Sequence, residues 1–156
     1  MPDADVTKIV LLPPGPDNPR NSEGSFVTLQ DGRLLFAYSH FTGGARDDSP
    51  SRIAARESAD GGFTWSSRDR VLVENTAMNT MSVSFLRLQD GRIALGYLLR
   101  RPHAERGQEL KFLLRFSADE GESWNEPICC SGDTSYYVVN NDRMVQLASG
   151  RLVVPA

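Results

Sequence analysis

Five side chains carry most of the chemistry this sequence can offer: Arg20, Glu23, His40, Asp47 and Arg143. A guanidinium makes two parallel hydrogen bonds to a carboxylate, so Arg20 is a candidate to hold a ligand carboxylate, and Arg143 to add a second cation. Asp47 is a candidate general acid, a role that needs a proton retained near neutral pH through burial or a neighbouring carboxylate. Asp48 beside it competes for that assignment, and an exposed acidic loop through Ser49-Pro50 is the plainer alternative. Glu23 can orient Arg20 or take a ligand hydroxyl; a surface salt bridge would use it equally well. His40 can hydrogen-bond a ligand or relay a proton, or simply be satisfied within the fold. His40 and His103 have no paired spacing that would make a zinc site. Neither a metal nor a cofactor is expected.

Bulk properties set the frame for these residues. The chain has 156 residues, 40% hydrophobic and 24% charged, which is a globular composition with enough length for a core. A formal net charge of -3 argues against a nucleic-acid partner. Cys129 and Cys130 are adjacent and would pair only with strain, which leans towards a reducing compartment. The N-terminus shows no basic stretch followed by an apolar run, and no segment is long and apolar enough for a transmembrane helix. No membrane partner and a cytoplasmic location are therefore expected.

The elements that position the candidates come from an internal repeat. Residues 26–36, Phe-Val-Thr-Leu-Gln-Asp-Gly-Arg-Leu-Leu-Phe, recur 59 residues later as Phe-Leu-Arg-Leu-Gln-Asp-Gly-Arg-Ile-Ala-Leu. Tyr38 and Tyr97, Arg56 and Arg115, and Trp65 and Trp124 keep the same offset, and a third copy begins at Val145. Within a repeat, Asp31-Gly32 is a turn between two short apolar runs, which reads as a hairpin. Stretches 52–58 and 70–74 supply a third and fourth strand. The second repeat follows with 84–88, 92–98, 110–116 and a weaker strand near 127–130. Helical periodicity is absent. Four antiparallel strands joined in sequence describe a propeller blade. The boundaries expected are an N-terminal segment 1–23, repeats 24–82 and 83–141, and the start of a third at 142–156. About two and a half blades would be present, fewer than a closed ring needs, so a piece of a longer chain or an assembly with other chains is expected.

This topology sorts the loops. Turns between strands one and two, and three and four, share one face; the other connections share the opposite face. That second face gathers 20–24, 40–51, 75–81, 100–108 and 140–143, where the repeat breaks down. Glu23 corresponds to Ser82 and Asn141, and Arg143 corresponds to Ser25 and Ser84. Polar residues that differ between repeats at one register can build an asymmetric site.

Residues 58–65, Ser-Ala-Asp-Gly-Gly-Phe-Thr-Trp, match the pattern S-x-D-x-G-x-T-W, and residues 117–124 match it with Ser123 for Thr. This resembles the Asp box of sialidases and related propellers, a structural turn in which Asp60 and Asp119 accept amide hydrogen bonds. From Pro19 onward the chain is similar to bacterial BNR-repeat proteins of the exo-α-sialidase type. The resemblance implies an all-β, sialidase-like β-propeller with six blades. It implies an arginine triad for the substrate carboxylate, an aspartic acid/base, and a tyrosine nucleophile with a glutamate partner. Arg20 falls where the first triad arginine would lie, though Arg20-Asn-Ser replaces the family's Arg-Ile-Pro. Asp47 falls at the acid/base spacing before the third strand. The nucleophile and the other two arginines would come from later blades. The implied function is exo-hydrolysis of an anionic, sialic-acid-like sugar, with this chain alone inactive. A non-catalytic carbohydrate-binding propeller and a different polysaccharide-active enzyme on the same scaffold are the alternatives.

Overall fold

The structure is a computed structural model that describes residues 7–9, 11–132 and 136–156, so residues 1–6 at the N-terminus lie outside it. Among the described residues all regular structure is β. The first sheet runs in chain order through β1 (Arg20–Thr28), β2 (Leu34–Phe41), β3 (Ser51–Ser58) and β4 (Arg70–Val73), each antiparallel to the next. The second repeats the plan with β5 (Asn79–Arg87), β6 (Ile93–His103), β7 (Gly107–Ser117) and β8 (Ile128–Cys129). A two-stranded ribbon, β9 (Val145–Gln146) and β10 (Leu152–Val153), follows.

Period-two alternation decides which side chains meet. Along β2, Leu35, Ala37, Ser39 and Phe41 face one way and are buried, while Phe36, Tyr38 and His40 face the other. Leu35 and Ala37 of the first set join Val27, Ile53, Ala55 and Leu72 from the same sheet. Against it pack Val83, Phe85, Ile93, Leu95 and Tyr97 of the second sheet, with Trp124 at the edge. Leu35, Ile53, Ile93 and Leu95 are 0% exposed; burying each such side chain contributes about 1.5–3 kcal/mol. The far face of the second sheet, with Ala94, Leu98, Leu110, Phe112 and Leu114, is covered in turn by Val139, Met144, Leu152 and Val154. Met144 and Val154 occupy the registers of Phe85 and Leu95, so the two interfaces are the same contact displaced by one repeat. The outer face of the first sheet carries Phe26 stacked on Phe36 at 4.4 Å, with Trp65 beside them, and leaves Phe26 55% exposed.

The two repeated turns close the opposite end. Ser58 Oγ donates to Asp60 Oδ1 (2.8 Å) and accepts from the Gly62 amide (2.9 Å); the Thr64 amide and hydroxyl donate to the two Asp60 oxygens at 2.8 and 2.6 Å. Ser117, Asp119, Gly121 and Ser123 repeat the network. The Thr64 and Ser123 donors, with the serines behind them, hold the Asp60 and Asp119 carboxyls down at about 2. Gly62 and Gly121 have φ of 95° and 86° with an indole ring about to touch an added Cβ, so glycine is required at both.

At the other end the register shifts between Ser22 and Ser25 in β1 and between Met81 and Ser84 in β5. These are β-bulges, and Glu23 and Ser82 sit in them with φ of 57°, an uncommon backbone for residues with a side chain. The bulges lock together. Glu23 Oε2 accepts from the Ser82 amide at 3.1 Å and from Ser39 Oγ at 3.0 Å.

Three strand expectations shift. The stretch 100–108 is a strand extension rather than a loop, with β6 reaching His103 and β7 starting at Gly107. The cross-strand ion pair of Arg101 with Glu109, whose second oxygen meets Lys111 at 3.3 Å, holds the longer ladder. The strand near 127–130 shrinks to Ile128–Cys129, and β5 begins at Asn79, inside the stretch 75–81.

Candidate functional site

The site is built where the irregular connections gather. Loop 42–50, between β2 and β3, is tied internally by the Thr42 amide on Pro50 O (2.9 Å) and the Ser49 amide on Arg46 O (3.0 Å). Its tip is gripped from two sides. Arg20, the first residue of β1, donates through Nη1 to Ala45 O (3.2 Å) and to Asp47 Oδ1 (2.5 Å). The same side chain donates from Nε to Ser22 Oγ at 3.1 Å and lies 4.5 Å over the Phe41 ring. From the second sheet, Asn79 Nδ2 donates to Asp47 O (2.6 Å) and Ser49 O (3.2 Å). Arg20 and Asn79 are the same position of the repeat, so equivalent residues of neighbouring sheets hold one loop.

The loop and the second sheet enclose an open depression of about 520 Å³ lined by Ala45, Arg46, Asp47, Asp48, Arg100 and Gln108. Charge within it is partly neutralised. Asp47 is bound to Arg20, with side-chain exposures of 71% and 27%, and Asp48 is bound to Arg46 at 3.1 Å. Arg46, with a smaller contribution from Arg100, draws the Asp48 carboxyl below the usual range.

The sequence candidates divide in four. Arg20 and Asp47 are brought together. Glu23 is three residues along the same strand from Arg20, but its carboxylate is occupied by the Ser82 amide and Ser39 hydroxyl; it also borders a separate 220 Å³ hollow with Asn21, Phe36 and Tyr38. His40 points to the outer face of the first sheet, stacked against Tyr38 at 6.0 Å, with Nδ1 3.2 Å from Asp69 Oδ2. Burial, then the nearby Arg52 charge, lowers the imidazole's proton affinity against the opposing pull of Asp69. Asp69 is itself drawn down: burial alone would raise its carboxyl, and Arg56 and Tyr38 outweigh that. Arg143 has an exposed side chain and takes part through its amide, which donates to Ser84 Oγ at 3.3 Å. Its guanidinium does not line the depression.

Asn79, Arg100, Gln108 and Tyr136 are the residues the sequence did not single out. The signal was partial: 75–81 and 100–108 stand out as breaks in the repeat, but nothing in one sequence says which side chain in a break turns inward. Among the described residues no three His, Cys, Asp or Glu side chains gather as a metal-holding group.

No family model matches the chain, and no curated protein matches it either. Solved structures do. A protein of unknown function from Dyadobacter fermentans DSM 18053 superposes with a TM-score of 0.76 at 17% identity over 93% of this chain and 49% of that one. A sialidase from Trypanosoma rangeli, solved in complex with sialic acid, superposes with a TM-score of 0.50 at 16% identity over 81% of this chain and 23% of that one. The likeness is one of fold: stacked four-stranded antiparallel sheets. The chain spans about half the length of the Dyadobacter protein and about a quarter of the sialidase.

Proposed function

We propose that this chain forms part of a sialidase-like β-propeller whose mouth, at Arg20 and Asp47, holds an anionic sugar for exo-glycoside hydrolysis. In this reading repeats 24–82 and 83–141 are whole blades, 142–156 opens a third, and residues 1–23 lead in. Further blades complete a six-bladed ring. The observation that carries the proposal is the meeting of Arg20 and Asp47: 27 residues apart in sequence, they lie 2.5 Å apart at the end of the sheets where the repeat-breaking segments converge. The head-to-tail repetition of the sheet interface supports the propeller, because a displaced contact of this kind either closes a ring or continues as a filament.

The chemistry follows from the pair. Asp47 occupies the guanidinium that a ligand carboxylate would use. A sugar carboxylate displaces it from Nη1 and adds a second charge-assisted bond from Nη2. Asp47 is then released beside the bound sugar, within reach of a leaving oxygen, where a general acid must stand. The resemblance in sequence puts a tyrosine nucleophile, its glutamate and two further arginines on later blades. Glu23 keeps the inner strands in register, and Arg143 stands ready as a cation nearer the third blade.

The 71% exposure of Asp47 favours a second reading, a non-catalytic carbohydrate-binding propeller, because it leaves that carboxyl largely in water. A fluorogenic sialoside separates the two. This chain alone is expected to give no turnover. A protein carrying the complete ring is expected to turn the sialoside over, with Asp47→Asn lowering kcat and Arg20→Met raising KM. Binding without turnover by the complete ring would select the second reading; turnover by the chain alone would contradict the need for later blades.

A further inference from the structure

Arg100 has no role in the scheme above, yet it is buried with part of its guanidinium unpartnered. It lies at the mouth end of β6, cross-strand from Asn79, and is 7% exposed. Its Nη1 reaches the Tyr136 hydroxyl at 3.4 Å, and its Nε is buried without a partner. Among the described residues it has no carboxylate within ion-pairing distance. Asp48 is close enough to feel its charge but is bound to Arg46, and Asp47 is bound to Arg20.

A buried charge without a counter-ion costs folding free energy. The scaffold does not require that cost, as the repeat shows. The position of Arg100 in the first sheet is Phe41, which is 0% exposed and closes the same register with an apolar ring. One copy of the repeat fills the position with hydrocarbon; the other fills it with a guanidinium that borders the 520 Å³ depression beside the Gln108 amide. Where a sequence retains a destabilising charge that its own fold can replace, the compensation comes from something that binds.

We propose that Arg100 is an anion-binding residue, receiving an oxyanion group (a carboxylate, sulfate or phosphate) from a ligand seated in the depression, separately from any group on Arg20. The planar fork offers such a group paired N–H donors, and the low exposure strengthens the contact. A ligand using both arginines carries two negative groups. The inference stands on the surroundings of Arg100 and not on the glycosidase reading.

The test uses inorganic sulfate and acetate on the purified chain, against chloride at matched ionic strength, with the melting temperature followed as a function of anion concentration. The parent chain is expected to show a saturable rise with at least one oxyanion; the arm that responds tells a tetrahedral group from a planar one. Arg100→Met is expected to melt no lower than the parent without oxyanion and to lose the response. Arg68→Met, at an exposed cation in the turn between β3 and β4, away from the mouth, is expected to keep it. Should Arg100→Met fail to fold, Arg100→Lys retains the charge without the fork and is expected to weaken the oxyanion about tenfold or more. An unresponsive parent, a response surviving in Arg100→Met or undiminished in Arg100→Lys, or one lost with Arg68 instead, overturns the proposal. Oxyanion binding at Arg100 without any sialoside turnover by the complete ring would sink the glycosidase reading and leave this one standing.

Discussion

The double grip on loop 42–50 makes a quantitative prediction. Asn79→Ala removes two donors, the Nδ2 contacts to Asp47 O and Ser49 O, from a side chain that is 0% exposed. Each such bond contributes a net of about 0.5–1.5 kcal/mol. Part is returned, because Asn79 Oδ1 is already buried without a partner and its removal relieves about 1 kcal/mol of desolvation. The net loss of global stability is therefore small, about 0–2 kcal/mol, while the loop tip loses half of its anchors. Hydrogen exchange should accelerate across loop 42–50 with little change elsewhere, and urea midpoints should move only slightly. Arg20→Ala removes the other anchor, the contacts to Ala45 O and Asp47. Because both grips act on one segment, the double variant should depart from additivity by about 0.5 kcal/mol or more, the range seen for residues sharing a partner. Strict additivity, or unchanged exchange in the loop of Asn79→Ala, would refute the idea that the loop is held as a unit between two sheets.

Acid should weaken the fold through the repeated turns. The Asp60 and Asp119 carboxyls are held down at about 2 when folded, against the ordinary aspartate value of 3.8, so the stability they contribute is complete above about 4 and is lost as pH falls towards 2; Asp60→Asn with Asp119→Asn should flatten that part of the unfolding curve followed by circular dichroism. Repeat-equivalent phenylalanines should respond oppositely. Phe26→Lys, at 55% exposure, should move the urea midpoint by less than about 1 kcal/mol. Phe85→Lys, at 5% exposure against Trp124, should cost at least the roughly 3–5 kcal/mol of an emptied aromatic site.

What was legible in the sequence was what repeats. Offset and turn chemistry fix the hairpins, and the Ser-Asp-Gly-Trp turns satisfy their own hydrogen bonds locally, so their structure can be read from eight residues. The segments that break the repeat were legible as segments only. His40 illustrates the limit: its place near the end of β2 is right for the mouth, but strand alternation sends its ring to the outer face, where Asp69 waits. Which face a residue takes depends on register, and here β1 and β5 each carry a bulge that a one-sequence reading does not locate. The same bulges explain Glu23. Its difference from Ser82 and Asn141 looked like site chemistry, while the structure gives its carboxylate to the amide of the neighbouring bulge.

The repeat also explains why asymmetry is concentrated at one end of the sheets. Interior positions such as Leu35 and Ile53 are buried against the neighbouring sheet, and their counterparts Ala94 and Phe112, though of different size, are again apolar and buried. The turns at the far end are closed by their own side chains. At the mouth the connections are not copies of one another, and loop 42–50 is held by Arg20 and Asn79 from two sheets as well as by its own hydrogen bonds. Arg20 and Asn79, or Phe41 and Arg100, diverge there, and the buried Arg100 carries the cost of an unpaired charge. That divergence puts one cation on a loop carboxylate and buries the other beside the depression, and it makes Arg100, rather than the conspicuous Asp turns, the position where substitution should separate binding from folding.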